Sequence, residues 1–209
     1  MLVSGHDLRK HISLQYTFAL RLMDTKGSSH TNGQHPVEET DPAPRQAKSA
    51  RTAMEFISPT FGKLPFHQMF ENMVGYMNEE PDQKYHLIIG TDSLLNEQTC
   101  FVTAVIIHRV GHGGRYFYRK MVNRKMDSLR QRIFFETALS LETAGLISVE
   151  LSRNGHSELP VEIHLDVGEN GDTKRVIREV VGMVTGSGYL AVTKPDAYGA
   201  TKVADKHSK

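Results

Sequence analysis

The feature that most limits what this chain can become lies between Lys84 and Arg124. Three β-rich stretches follow one another there, "YHLIIGTD" (85–92), "CFVTAVIIHRV" (100–110) and "RYFYRKMVNR" (115–124), with only "SLLNEQT" and "GHGG" between them. Branched and aromatic residues crowd the second and third stretches, the composition that favours strands. Connections so short suit hairpins, so the three strands form an antiparallel meander. The first strand runs continuously apolar through Leu87, Ile88 and Ile89, as a strand buried on both faces would. Yet it ends in Gly90, Thr91 and Asp92. A carboxylate so placed is costly unless a positive charge compensates it.

Around the meander the period changes. "PFHQMFENMVGYMN" (65–78) spaces Phe66, Met69, Phe70, Met73, Val74 and Met77 along one helical face, with Pro65 near its start. "SLRQRIFFETALSLETA" (128–144) predicts a helix capped by Ser128 and ended or kinked at Gly145. "VEIHLDVG" (161–168) is a strand ending in a carboxylate and a glycine, and "DTKRVIREVVGMVTGSG" (172–188) a helix stopped by glycines. "YLAVTK" (189–194) is a fifth strand, and "PDAYGATKVADKHSK" a last helix entered at Pro195. The expected fold is therefore α/β, a five-stranded mixed sheet in which the meander precedes alternating helices and strands.

Residues 24–53 are rich in Gly, Ser, Pro and charge, and cannot bury enough surface to offset their ordering entropy. "LRKHISLQYTFALRLM" before them predicts a short amphipathic helix with no evident partner. Residues 1–53 are thus expected to be a disordered or dispensable extension, Met54 an alternative translation start, and residues 54–209 the domain. The formal net charge of +1 neither demands nor excludes a nucleic-acid partner. The single cysteine, Cys100, excludes an internal disulfide framework and reads as a small buried hydrophobe. No apolar run approaches the length of a membrane span or a signal segment, so a cytoplasmic protein is expected.

Strand–helix–strand units place their strands parallel, and ligands bind outside the carboxyl ends of such strands. If the strands bearing Asp92 and Asp166 are neighbours, their acids meet at one edge. Each acid alone reads equally as a turn residue. Two held together repel unless protonated or bridged by a cation, and hard carboxylate oxygens suit Mg²⁺ or Mn²⁺.

"IIGTDS", "FFET", "IHLDVGENG" and "KPDAYGATKVADKHSK", in this order of elements, resemble a YkuK-like family of the ribonuclease H-like superfamily. The superfamily match spans residues 84–209. It implies a four-acid site binding two metal ions and a metal-dependent nuclease acting on phosphodiester bonds. Carried over by residue, the resemblance gives Asp92 from the first strand, Glu136 from the first helix and Asp166 from the fourth strand. Asp205 in the last helix is the fourth acid, with Asp196 as its alternate. Glu136 is preferred to Glu142, which lies on another face of its helix. His164 shares the strand face of Asp166 and reads equally as orienting the site or as a hydrogen-bonded core residue; His207 could assist proton transfer or the leaving group but reads first as exposed and idle.

Arg115, Arg119, Lys120, Arg124, Lys125 and Arg130 cluster across the hairpin and the next helix start against the one acid Asp127. Interleaved with Tyr116, Phe117 and Tyr118, they predict phosphate tracking and base stacking, so nucleic acid is the expected partner. The plainer reading is an edge strand protected by charge. Three other readings compete: a catalytically silent nucleic-acid-binding or scaffold protein, a nucleotide phosphate hydrolase, and a nuclease or recombinase component active only within an assembly. The second rests on glycines before a helix N-terminus in "DVGENGDT" (166–173), which resemble the phosphate loops of actin-like ATPases.

Overall fold

A computed structural model describes residues 54–168, 176–197 and 199–208. The N-terminal extension and its expected helix, and positions 169–173 of the glycine-bearing loop, lie outside the described residues. The meander forms β3 (Tyr85–Leu95), β4 (Thr99–Arg109) and β5 (Gly113–Asn123), paired antiparallel from Tyr85↔Arg109 to Leu95↔Thr99 and from Thr99↔Asn123 to Arg109↔Gly113. Its second turn needs backbones that bulky residues avoid, with φ +78° at Gly111 and +86° at Gly113. At Gly114 a Cβ would stand 2.5 Å from the Ile107 carbonyl oxygen, so only glycine fits beside β4 there.

The sheet has seven strands rather than five, in the order β2-β1-β5-β4-β3-β6-β7. The two unforeseen strands, β1 (Glu55–Ser58) and β2 (Gly62–Pro65), form a hairpin that extends the β5 edge through Ile57↔Tyr118. Four residues each are too few for a period to show in the sequence. What holds them is tertiary: Phe56 is fully buried, Leu64 nearly so, and the Ser58 hydroxyl accepts from the amides of Thr60 and Phe61 to close the turn. Pro65 ends β2 and opens α1 (Phe66–Asn78), which buries Phe66, Met69, Phe70, Met73, Tyr76 and Met77.

Helix α2 (Leu129–Arg153) is far longer than 128–144. Gly145 does not end it. It is buried between Ala144 and Ile147 on a face whose apolar spacing continues to Leu151, and that burial outweighs the cost of a mid-helix glycine. Strand β6 (Val161–His164) pairs parallel with β3, and β7 (Leu190–Val192) pairs parallel with β6. Both are shorter than the sequence suggested. Helix α3 (Ile177–Gly186) packs Val180 and Val184 inward. The last helix, α4 (Gly199–Ser208), begins four residues beyond Pro195, because 194–197 form a turn in which Asp196 and Ala197 both donate to Thr193 O.

The layers follow from strand alternation. Leu87, Ile89, Val105, Ile107, Phe117 and Ile163 face one way and join the buried residues of α1, α2 and α3 in the main core. Asp92, Lys120, Tyr116 and Tyr118 face the other way, where α4 crosses β3 and β4. Phe117 is therefore core, with only 1% of its surface exposed, and is withdrawn from any base-stacking role. Cys100 is half-buried rather than buried.

Candidate functional site at the edge of the parallel strands

Asp92 does not end its strand. β3 continues to Leu95, paired all the way with β4, while the parallel pairing with β6 stops at Gly90↔His164. Asp92 thus stands just past the carboxyl edge of β6, on the face that α4 crosses. Its Oδ1 accepts from the amide of Ser93 at 2.8 Å. The Ser93 side chain points to the opposite face and donates to Glu136 Oε1 at 2.6 Å. One residue therefore orients both acids. Ser93 was not singled out in the sequence, and its only signal is the alternation that sends neighbours to opposite faces.

Glu136 is delivered by the wedge around it. Phe135 packs on Phe101 with ring centroids 4.7 Å apart, and Phe134 lies under the Arg130 guanidinium at 4.9 Å. Ser140 and Thr91 anchor the next turn of α2 to β3 at 2.9 Å. Glu142 faces elsewhere and pairs loosely with Arg119 at 3.8 Å.

Asp166 lies two residues beyond β6, where pairing with the neighbouring chain persists through Leu165 N to Val192 O and Lys194 N to Val167 O. Its Oδ1 is closed off from solvent. Lys194 Nζ lies 2.8 Å from that oxygen. The contact is an ion pair by distance, but the ammonium is not aligned to donate, and the oxygen has no hydrogen bond among the described residues. Asp205 is exposed on α4, next to the buried Ala204 that seats the helix on the sheet. Asp196 is exposed in the turn before α4.

Electrostatics tie four of these acids together. Burial pushes Asp92 up to about 6, with Asp166 and Asp205 adding repulsion and the Ser93 amide and Lys194 opposing it. Burial likewise pushes Glu136 up to about 8, against the Ser93 hydroxyl, with Asp92 and Asp166 adding to the rise. Asp196 is not among the main causes of either shift. The four share one field without closing into a cage: among the described residues no group of three or more His, Cys, Asp or Glu side chains stands at metal-holding distance. An all-oxygen set of carboxyl groups is nonetheless the ligand chemistry of a hard divalent cation.

The expected basic patch is mostly neutralised. Arg115 pairs with Glu79 at 2.6 Å, Arg130 with Glu179 at 2.7 Å, Lys125 with Asp127 at 3.1 Å, and Arg119 with Glu142. Arg124 is exposed. Lys120 is exposed on the acid face, in register with Asp92 through Val102. His207 is not idle: it stacks on Tyr118 at 3.8 Å and lies 3.3 Å from the Tyr116 hydroxyl. His164 is buried, which lowers its pKa, and it meets Glu162 rather than Asp166. Glu162 also holds His86 Nδ1 at 2.8 Å.

Among the described residues no helix is long and apolar enough to cross a membrane. Residues 68–209 match the family model described as Ribonuclease H-like. The Bacillus subtilis (strain 168) protein named "Uncharacterized protein YkuK" is 34% identical over 166 residues, covering 74% of this chain and 96% of that relative. No solved structure matches significantly.

Proposed function

We propose that this chain, which belongs to the ribonuclease H-like family and is YkuK-like within it, is a nuclease that hydrolyses phosphodiester bonds with divalent cations held by Asp92, Glu136, Asp166 and Asp205. One observation carries the reading. Burial raises Asp92 to about 6 and Glu136 to about 8, with Asp166 adding to both shifts and Asp205 to that of Asp92. Such a set is uncomfortable without added positive charge. The donor set fits Mg²⁺ or Mn²⁺: it is all oxygen, and the buried Asp166 Oδ1 has no aligned donor of its own. Bound there, two such ions would supply Lewis acidity and a nucleophile at neutral pH.

The chain's own residues do the rest. Asp92 and Asp166 are the principal ligands, and Glu136 and Asp205 complete the set. Ser93 holds Asp92 and Glu136 in their orientations from the two sides of β3. Lys120 lies on the same sheet face as Asp92, where a nucleic-acid backbone would meet it, while His207 already stacks on the neighbouring Tyr118 and touches Tyr116. The ion-paired arginines would take part only after giving up their carboxylates.

The test is a cleavage panel of RNA–DNA hybrid, branched DNA and single strands with Mg²⁺ or Mn²⁺. Parent protein should cleave at least one of them, and Asp92→Asn and Asp166→Asn should fall to background while keeping the parent fold. If both variants cleave like the parent, the acid cluster is not the site. A catalytically silent nucleic-acid-binding role draws on a different observation, the lack of a ready metal cage among the described residues. Tight strand binding by the parent with no cleavage under either metal would favour it.

A further inference from the structure

Lys194 reaches the acid cluster from beyond β7. Its amide donates to Val167 O at 2.9 Å, which carries the β6–β7 pairing past both strands and sets the lysine beside Asp166. The lysine stem runs alongside Gly168, where a Cβ would make ordinary contact with Lys194 Cβ at 3.4 Å and with its Cδ at 3.9 Å. The ammonium ends 2.8 Å from Asp166 Oδ1, an oxygen otherwise shut off from water. Its field also reaches Asp92 and opposes the repulsion from Asp166 and Asp205. The lysine side chain is 54% exposed and the aspartate 25%, so the ammonium can swing out without disturbing the core. A compact charge on a flexible four-carbon stem thus occupies the ground that a divalent ion on Asp166 would need.

We infer that Lys194 is a built-in counter-ion of the acid cluster, holding Asp166 in the metal-free protein and displaced from it when a divalent cation binds. This rests on the reading of the cluster as a metal site. Lys194 is a positioning residue, and it sets the cation concentration at which the site fills. An ammonium and a divalent cation cannot share one carboxylate oxygen without strong repulsion, so an ion that takes Asp166 Oδ1 must release the lysine.

Calorimetric titration of Mn²⁺ into the parent, Lys194→Met, Lys194→Arg and Asp92→Asn tests this. Met keeps much of the stem and removes the charge; Arg keeps the charge. Lys194→Met should bind Mn²⁺ roughly fivefold more tightly than the parent, the equivalent of about 1 kcal/mol for a partly exposed pair. Lys194→Arg should stay near the parent. The metal-free Met variant should melt below the parent, and the two should melt together at saturating Mn²⁺, as linkage requires. Parent-like or weaker binding by Lys194→Met overturns the inference, as does an Arg variant that tightens as much as Met. If the parent binds Mn²⁺ no better than Asp92→Asn does, the metal site itself is refuted, whatever the lysine variants show.

Discussion

Two polar clusters sit one residue apart on β3 and answer burial in opposite ways. Thr91 faces the core and Asp92 the other side of the sheet. The hydroxyls on the core side satisfy one another. Ser140 donates to the Glu136 carbonyl at 3.0 Å, which leaves Thr91 to donate to Ser140 at 2.9 Å and Thr103 to Thr91 at 3.0 Å. Thr91 and Ser140 each donate and accept, so a directed chain runs from the Thr103 hydroxyl to the Glu136 carbonyl with no orphan at the backbone end. The carboxylates a few ångströms away are acceptors only when ionised. They can share Ser93 but cannot satisfy each other, and burial raises two of them toward neutrality. The first cluster is finished by the fold, while the second is left short of positive charge.

The sharpest way to break this comparison is pH. Glu136 rises from 4.5 to about 8 on folding, and Asp92 from 3.8 to about 6. Between those limits the folded state binds more protons than the unfolded one, so metal-free stability should fall as pH climbs from about 4 to about 8. The loss should reach a few kcal/mol, read as a drop in melting temperature between pH 5 and pH 8. Glu136→Gln should flatten most of the slope, and Mn²⁺ should raise the melting temperature more at pH 8 than at pH 5. A metal-free protein equally stable at both pH values would mean the acids are not held together.

A smaller effect belongs to the hydroxyl chain. Thr91→Val keeps the shape but leaves Thr103 without an acceptor and Ser140 without its donor, which should cost roughly 1–3 kcal/mol in urea melts. Its Mn²⁺ shift should match the parent's. A variant that lost the shift would show that the two clusters act as one. Smallest of all is Arg119→Ala. Its pair with Glu142 spans 3.8 Å, with side chains 15% and 24% exposed, and burial works against the carboxylate. Loss of that pair should cost about 1 kcal/mol or less. A much larger cost would mark Arg119 and Glu142 as part of the site's support, and Glu136 would lose its standing as the helix's one contributing acid.

Much of this fold could be read from local pattern. The helical face at Phe66, Met69, Phe70, Met73 and Met77, the three meander strands and the parallel strand at Val161–His164 all stand where their periods put them. What escaped was whatever depends on partners. The β1–β2 hairpin is too short to carry a period. Gly145 looked like a stop because the apolar face it belongs to becomes decisive only once the helix is packed. Within the site, Asp92 and Asp166 drew notice as carboxylates after apolar strands, and Glu136 and Asp205 followed from resemblance. Ser93 and Lys194 went unremarked, being ordinary residue types with no spacing of their own.

The sequence by itself determined the meander, the order of helices and strands after it, and the placing of an acid after the apolar run of β3, because turn length and side-chain period are local properties. Only the tertiary structure decided which charges meet. Ser93 reaches Glu136 across 43 residues of chain, Arg115 reaches Glu79 across 36, and Arg130 reaches Glu179 across 49. Those last two pairs turned much of an apparently basic surface into neutral ground, and the alignment of Val167 with Lys194 put a lysine against Asp166. Register sets such meetings, and register is settled by how the whole sheet and its helices pack.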